Sequence, residues 1–481
     1  MKRILNNKMH VNWLRHGSWW KVLAFCLAVP HFCFGAPPEP VRKAALTAVA
    51  AAVCAGTYKG EGGKENNYLR DYGWQLTPYE ETKDGAQVHF TLARRPESVN
   101  GEHVALLAFR GSASKGDWQL NLRTRPVPFP EDTSPEKAGD KSLPQVHKGF
   151  LSYAKAALAA PVDLDGDGQP DEVAAFLQQH PDWKLLLTGH SLGGAGAALY
   201  GELLAQQGVR KEQIPIVTFG APAVGNEAFG KTYGPKVELR RVVTSLDPVP
   251  GALQTFYKGY GYRQFGEEKK YKLSGKYTDY QHPISYYLDL AVLDYYRERD
   301  KDVAEGSMQQ RPMAKTGEGP LVALAVYYQD NGADTRFSPN LGRLTLDEYR
   351  NLLPHYRILA YEHTNYTGNA LNGVALEKLK QQGREVGANY LLILAGERKR
   401  VGQTDKWYLH SSQGLFDLTG RGTLSLTEQS TRVRFEQGFV QSTLALLARQ
   451  KETLKQYLPN INRVNPFWTQ MREEGEQDEN H

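Results

Sequence analysis

A serine between two glycines, placed where a predicted strand runs into a predicted helix, constrains this chain more than any other feature. The short apolar run at 185–188 (LLLT) predicts a buried strand, and GHSLG follows it at 189–193. The next residues, GAGAALYGELLA, are small and predict a helix that lies close against the sheet. A serine at such a bend takes a strained backbone that neighbouring glycines permit, and its hydroxyl points out above the sheet. The pattern favours an α/β fold in which Ser191 is a nucleophile; an ordinary glycine-rich turn is the alternative.

A serine hydroxyl needs a general base, and the base needs an acid that orients it. In α/β folds of this type the acid and then the histidine follow the serine along the chain. Asp247 comes directly after the predicted strand at 239–245, where a parallel sheet presents its catalytic groups. His282 is the one histidine after Asp247 that precedes the polar segment at 300–319. We therefore predict a catalytic triad of Ser191, Asp247 and His282; a turn aspartate and a structural histidine are the alternatives.

The first 36 residues are expected to be a secretory signal. They carry five of the 58 lysines and arginines and no acid, so the rest of the chain holds 53 basic and 53 acidic residues. The alkaline isoelectric point therefore gives no reason to expect nucleic acid as a partner. The apolar run at 22–34 is too short to span a bilayer comfortably and is followed by small residues. We expect an exported protein, periplasmic or secreted; an uncleaved membrane anchor is the alternative.

Composition divides the remainder of the chain into two folded units. Residues 37–299 alternate short apolar runs with helical patterns, which is typical of an α/β domain. A polar segment at 300–319 predicts a linker, residues 320–458 predict a smaller α/β domain, and residues 459–481 predict a tail with a disordered end. The second unit shows no catalytic pattern. We interpret it as an accessory domain, with an envelope protein as its expected partner.

Eight short motifs, in order along the chain, resemble those of a known family. They are AFRGS (108–112), GDWQLNL (116–122), VHKGF (146–150), TGHSLGGA (188–195), TFGAPAVGNEAF (218–229), VVTSLDPVP (242–250), YRQFGEE (262–268) and QHPISYY (281–287). Together they resemble the class 3, fungal-type triacylglycerol lipases over about residues 44–296. The resemblance implies an α/β-hydrolase fold, with a central, mostly parallel sheet and helices on both faces, followed here by the smaller α/β domain. It also implies ester hydrolysis by the triad above. One departure is Gln264, where many members carry a histidine that is not the catalytic base.

The resemblance further implies an oxyanion hole. It assigns the backbone N–H groups of Ser112 and Leu192, with the Ser112 hydroxyl, to the negative charge that develops on the attacked carbonyl oxygen. Losing one such donor typically costs ~2.7–4 kcal/mol of activation free energy. A simple turn at the end of a strand is the alternative interpretation of Ser112. Two other histidines, His190 beside the nucleophile and His147 in VHKGF, are expected to be structural.

Between Ser112 and Val146 the resemblance implies a lid that opens at a lipid surface. Its apolar residues here are Trp118, Leu120 and Leu122, which alternate with polar residues and give a small apolar face. A weakly amphipathic lid predicts weak, transient contact with a lipid surface. We therefore expect esters in general, acylglycerols included, as substrates. The alternatives are a phospholipase A-type hydrolase and a catalytically silent protein that acts through its C-terminal domain.

An acidic loop predicts a structural metal site. Asp163, Asp165, Asp167 and Asp171 occupy the first, third, fifth and ninth positions of a loop with glycine at the sixth, as in calcium-binding loops. The twelfth position, where a glutamate would close the shell, is Ala174. A solvated acidic insertion is the alternative. Hydrolysis of an ester by a serine requires no cofactor, so calcium at this loop would be structural.

Overall fold

The computed structural model describes residues 39–58, 74–94, 103–112, 125–130, 140–272, 282–304, 319–331, 341–353, 356–363, 373–402, 406–420, 422–433 and 438–458. The predicted signal, the predicted tail and the lid residues Trp118, Leu120 and Leu122 lie outside these residues. No helix within the described ranges is both long enough and apolar enough to cross a membrane.

The described part of the chain contains sixteen strands and ten α-helices, and the strands form three sheets. The strands are β1 (Gln75–Lys83), β2 (Ala86–Arg94), β3 (His103–Phe109), β4 (Pro126–Pro128), β5 (Gln145–His147), β6 (Trp183–His190), β7 (Ile216–Phe219), β8 (Gly225–Asn226), β9 (Leu239–Thr244), β10 (Tyr262–Arg263), β11 (Glu267–Tyr271), β12 (Leu321–Asn331), β13 (Arg357–His363), β14 (Tyr390–Arg400), β15 (Trp407–Asp417) and β16 (Gly422–Val433). The helices are α1 (Glu39–Gly56), α2 (Lys148–Leu158), α3 (Val173–Gln179), α4 (Leu192–Gln206), α5 (Glu227–Tyr233), α6 (Val249–Phe256), α7 (Ile284–Ala304), α8 (Leu341–Leu352), α9 (Gly373–Glu385) and α10 (Gly438–Leu454).

The largest sheet has seven strands in the order β1-β2-β3-β6-β7-β9-β11. The strands from β3 to β11 run parallel, and β1 and β2 join antiparallel at one edge. Parallel strands need long crossover connections, usually helices, which cover both faces of the sheet. This burial on both faces explains why β3, β6 and β7 are almost wholly buried. The architecture confirms the predicted α/β-hydrolase fold class.

Two hydrophobic cores lie on opposite faces of this sheet, because successive side chains along a strand point to opposite sides. Leu106 and Leu186, which pair in register, belong to the core that also contains residues of α1 and α7. Their chain neighbours Leu107 and Leu187 belong to the core that contains residues of α2 and α4. The sheet is thereby fixed between helical layers. The loops at the carboxyl ends of its strands rest on a rigid base.

A second α/β unit follows, built on five strands in the order β13-β12-β14-β15-β16. Strands β13, β12 and β14 are parallel, whereas β15 and β16 add antiparallel. Helices α8 and α9 connect the parallel strands, and α10 comes after the last strand. A small third sheet, β10-β8-β5-β4, belongs to the first unit.

Helix α7 joins the two units. It runs to Ala304, into the segment predicted as a linker, and Tyr296 and Arg299 on it bond to Asp347 of α8 at 3.0 and 3.1 Å. The hydrophobic core that includes α1 and α7 continues into the second unit, where it contains residues such as Leu324 and Leu447. The second unit therefore packs against the helix that begins two residues after His282.

Candidate active site

The predicted serine bend is present between β6 and α4. Ser191 has φ 57° and ψ −124°, a backbone conformation that residues other than glycine rarely adopt. Its glycine neighbours are needed for the same bend. A Cβ on Gly189 would lie 2.2 Å from the carbonyl oxygen of Gly193, and one on Gly193 would lie 2.0 Å from that of Phe109. The sequence therefore builds a strained turn that presents the hydroxyl where the strand ends.

Ser191, His282 and Asp247 form a hydrogen-bonded chain. The Nε2 atom of His282 lies 2.9 Å from Ser191 Oγ, and its Nδ1 atom lies 2.9 Å from Asp247 Oδ2. In a neutral imidazole Nδ1–H then donates to the carboxylate, and Nε2 accepts from the serine hydroxyl. Asp247 follows β9 and its other oxygen accepts from the Val249 N–H at 2.9 Å, which fixes the carboxylate. All three side chains belong to residues that are 9% exposed.

Two residues at this site escaped the sequence reasoning. The Tyr287 hydroxyl donates to Asp247 Oδ2 at 2.5 Å, so the carboxylate has a second side-chain donor. Burial and the neighbouring carboxylate raise the pKa of Tyr287 well above its ordinary value, which keeps the donor proton in place. Gly220 has φ 55°, and a Cβ there would lie 2.6 Å from Asp247 Oδ2. Both residues lie inside motifs quoted above, and that placement is the one sequence signal that pointed to them.

Of the two predicted oxyanion donors, Leu192 lies at this turn and Ser112 lies on the loop after β3. Leu192 is the first residue of α4, so its N–H has no acceptor within the helix. Ser112 follows β3 after Gly111, and a Cβ on Gly111 would lie 3.3 Å from the Cβ of Ser191. The Ser112 Oγ atom is buried and has no hydrogen-bond partner among the described residues. The loop after β3 therefore lies against the nucleophile, and the role of these donors stays a prediction.

Two further residues of the motifs have structural contacts. His147 is fully buried at the start of α2, where its Nδ1 atom accepts from the Phe150 N–H at 3.3 Å. Gln264 donates from Nε2 to the carbonyl oxygens of Ala221 at 3.1 Å and Pro250 at 3.0 Å. Gln264 thus ties the loop after β7 to the first turn of α6, the helix that begins two residues after Asp247. The site keeps its geometry without the histidine that many class 3 lipases carry in this motif.

The acidic loop brings together three of its four predicted ligands. Asp163, Asp165 and Asp171 each offer an oxygen within 4.8 Å of the others. Asp167 does not join this group, and its Oδ1 atom accepts from the Gln169 N–H at 2.7 Å. Burial raises the pKa of Asp171, and repulsion from the neighbouring carboxylates raises it further. The hydrogen bond from the Leu164 N–H lowers this pKa but does not offset the other two effects. Calcium binding here stays a prediction.

Residues 106–256 match the sequence model of the family described as Lipase (class 3). The match confirms the predicted resemblance over this segment, which contains Ser191 and Asp247 and ends before His282. The chain is 33% identical over 175 residues to a lipase of Rhizomucor miehei and 32% identical over 160 residues to the chloroplastic phospholipase A(1) DAD1 of Arabidopsis thaliana. It is 30% identical over 173 residues to secreted mono- and diacylglycerol lipase 2 of Gibberella zeae.

These similarities cover a part of each protein. The matched regions are 35%, 32% and 31% of this chain, and 42%, 35% and 40% of the three relatives in the same order. Among solved structures, the triacylglyceride lipase of Rhizomucor miehei aligns with 48% of this chain and 80% of its own, at 23% identity and a TM-score of 0.37. The propeptide complex of that lipase aligns with 51% and 74%, at 22% identity and the same TM-score.

Proposed function

We propose that the protein is a serine ester hydrolase that cleaves acyl esters of lipids, acylglycerols included. The observation that carries the proposal is the unbroken hydrogen-bonded chain from Ser191 through His282 to Asp247 at a strained turn. The match of residues 106–256 to class 3 lipases supports the same reaction. A protein that had lost this activity would have no need to keep the three side chains hydrogen-bonded to one another.

The reaction follows from the donors and acceptors in place. Ser191 Oγ attacks the acyl carbon while His282 Nε2 takes the hydroxyl proton, and Asp247 stabilises the imidazolium that forms. The N–H groups of Ser112 and Leu192 donate to the oxygen that becomes negative. His282 then returns the proton to the leaving alkoxide, and the acyl group stays on Ser191. Water, activated by His282 in the same way, releases the acid, so no step needs a cofactor.

The substrate class is narrowed by the relatives. Two of those above carry the name lipase and one the name phospholipase A1, so acylglycerols and phospholipids are both acyl donors of the right chemistry. We favour acylglycerols and simple esters because the apolar face of the lid sequence is small, which limits binding at a lipid surface. Phospholipid acyl chains form the second candidate.

We also propose export and an accessory role for the second unit. The basic and apolar pattern of residues 1–36 supports a secretory signal, and one relative is named as secreted. The second unit lacks a catalytic pattern, and we propose that it binds an envelope protein. The test is to capture interaction partners from intact cell envelopes with the full chain and with a variant altered on this unit alone. A partner that binds the full chain and not the variant would support this role.

The reaction is tested by hydrolysis of p-nitrophenyl esters of graded chain length. We expect turnover by the wild type and none above background by Ser191→Ala. A matched control is Ser142→Ala, an exposed serine bonded to Asp140, which should keep the wild-type rate. Equal rates for the wild type and Ser191→Ala would reject the proposal and favour the catalytically silent alternative. Parallel assays with triacylglycerol and phospholipid then separate the two substrate classes.

A further inference from the structure

His190, next to the nucleophile, makes two hydrogen bonds that the reaction does not use. Its Nδ1 atom lies 2.6 Å from the Tyr58 hydroxyl oxygen, and its Nε2 atom lies 2.7 Å from the main-chain carbonyl oxygen of His282. The two imidazole rings are 4.6 Å apart between centroids. The ring of His190 is therefore bonded at both nitrogens and connects the segment after α1 to the backbone of the proposed base.

The chemistry of the partners fixes the direction of both bonds. A carbonyl oxygen can only accept, so Nε2 of His190 carries a proton and donates to His282. Burial and the adjacent His282 ring hold the pKa of His190 well below its ordinary value, so the ring is neutral. Nδ1 must then accept, and the Tyr58 hydroxyl donates to it. A single tautomer of His190 satisfies both contacts.

Tyr58 extends the connection to the loop of the proposed oxyanion hole. The Tyr58 hydroxyl lies against Gly111, where an added Cβ would lie 2.4 Å from the hydroxyl oxygen. Burial raises the pKa of Tyr58 above its ordinary range, so the hydroxyl keeps its proton. Gly111 precedes Ser112, so one hydroxyl contacts the loop after β3 and is connected through His190 to the backbone of His282.

We infer that Tyr58 and His190 are positioning residues that hold His282 and the Ser112 loop in register with Ser191. The inference rests on the proposed function and adds to it a residue, Tyr58, that lies outside the segment matched to class 3 lipases. Neither side chain bonds to the catalytic side chains. His190 acts through the main-chain carbonyl of His282, and Tyr58 acts through its bond to His190 and its contact with Gly111. Small errors in the alignment of reacting groups lower the rate steeply, by ~100-fold for a displacement of about 1 Å.

The test compares variants that keep or remove each donor. Tyr58→Phe removes one hydroxyl, and we expect kcat for p-nitrophenyl butyrate to fall about tenfold with KM unchanged. Tyr200→Phe is the matched control, because Tyr200 is fully buried on α4 and its hydroxyl has no hydrogen-bond partner among the described residues. Its kcat should equal that of the wild type. Thermal unfolding of each variant checks that the fold is kept.

His190 is tested by rescue. His190→Gln keeps an amide N–H near the position of Nε2, whereas His190→Leu fills the space without a donor. We expect the Gln variant to keep a kcat at least several-fold above that of the Leu variant. Equal kcat for both, or a wild-type kcat in Tyr58→Phe and His190→Leu, would overturn the inference while ester hydrolysis by the wild type leaves the proposed function intact. A wild type without ester hydrolysis would overturn both.

Discussion

At the scale of single residues, the site needs a position without a side chain beside Asp247 as well as the three side chains that bond to one another. Gly220 leaves room for the oxygen of Asp247 that accepts from both His282 and Tyr287. Two donors on one carboxylate oxygen hold it against rotation, and in the proposed reaction that carboxylate stabilises the imidazolium. A side chain at position 220 would therefore displace the carboxylate that orients His282.

Gly220→Ala is expected to lower kcat/KM by ~100-fold or more. The new Cβ would lie 2.6 Å from Asp247 Oδ2, so the carboxylate must move away from His282. Gly85→Ala is the matched control, because Gly85 also has a positive φ, of 76°, with no atom within 4 Å of the new Cβ. The control shares the backbone cost of roughly 1–2 kcal/mol and should keep full activity. Equal losses of activity in both variants would contradict the account.

Glu202 gives a prediction for the pH dependence of stability. It is fully buried on α4, neither carboxylate oxygen has a hydrogen-bond partner among the described residues, and burial raises its pKa from 4.5 to about 8. The folded state therefore holds this proton more tightly than the unfolded state. The resulting stability is full below the unfolded pKa and is lost as pH rises toward the folded pKa, by at most ~1.4 kcal/mol per pH unit.

Glu202→Gln keeps the shape of the side chain and removes its titration. We expect the free energy of unfolding of the variant to rise relative to the wild type as pH increases from about 5 to about 8. Urea unfolding at several pH values measures this difference. A difference that stays constant over the range would show that Glu202 does not titrate there.

At the scale of secondary structure elements, Asp289 connects helix α7 to helix α10. Its carboxylate accepts from the N–H groups of Phe439 at 2.9 Å and Val440 at 2.8 Å, at the start of α10. Gly438 has φ 66°, and a Cβ there would lie 2.8 Å from Asp289 Oδ2. A side chain of the first unit therefore caps a helix of the second, where the helix dipole favours negative charge.

Asp289→Ala is expected to lower the free energy of unfolding by ~1–2 kcal/mol, as the loss of a helix cap typically does. Burial raises the pKa of Asp289 to about 7, so the comparison belongs above pH 8, where the carboxylate is charged. Asp289→Asn keeps one oxygen acceptor without the titration, so its free energy of unfolding should rise relative to the wild type as pH increases from about 4 to about 7. Hydrogen exchange in the first turn of α10 should quicken in Asp289→Ala. Unchanged exchange and stability would contradict the cap.

The acidic loop between α2 and α3 gives a prediction about metal. If Asp163, Asp165 and Asp171 bind calcium, the ion stabilises the folded state by about 2.7 kcal/mol at a hundred times its Kd. Calcium should then raise the Tm of the wild type and a chelator should lower it, with no such response in Asp165→Asn. Asp167→Asn is the control, because Asp167 lies outside the group of three. An identical Tm with calcium and with chelator would contradict calcium binding and favour the alternative, a solvated acidic loop.

At the scale of the whole molecule, local sequence patterns predicted some features and long-range packing determined the others. The serine bend, the apolar strands and the order of Ser191, Asp247 and His282 follow from patterns over a few residues, and the helical period placed His282 at the start of a helix. Tyr287, Gly220 and Tyr58 could not be assigned this way. Their roles depend on contacts between residues that are far apart in the sequence. Tyr58 and His190, for example, are hydrogen-bonded and 132 residues apart.

The relation between the two units was also beyond the sequence. Composition predicted a linker at 300–319, yet α7 continues to Ala304 and one hydrophobic core extends from α1 and α7 into the second unit. A helix of mixed polar and apolar residues does not reveal which neighbour covers each side. The role of the charged residues near the end of α7 is visible in the structure and not in the sequence: Arg299, for example, bonds to Asp347 of the second unit.

The most direct test of the central claim is the reaction of the purified protein with a fluorophosphonate ester, followed by mass spectrometry of the labelled peptide. The account predicts one phosphonyl group per chain, attached to Ser191, with no label in Ser191→Ala and much slower labelling in His282→Gln. Labelling elsewhere, or no labelling of a folded wild type, would contradict the claim that Ser191 is an activated nucleophile.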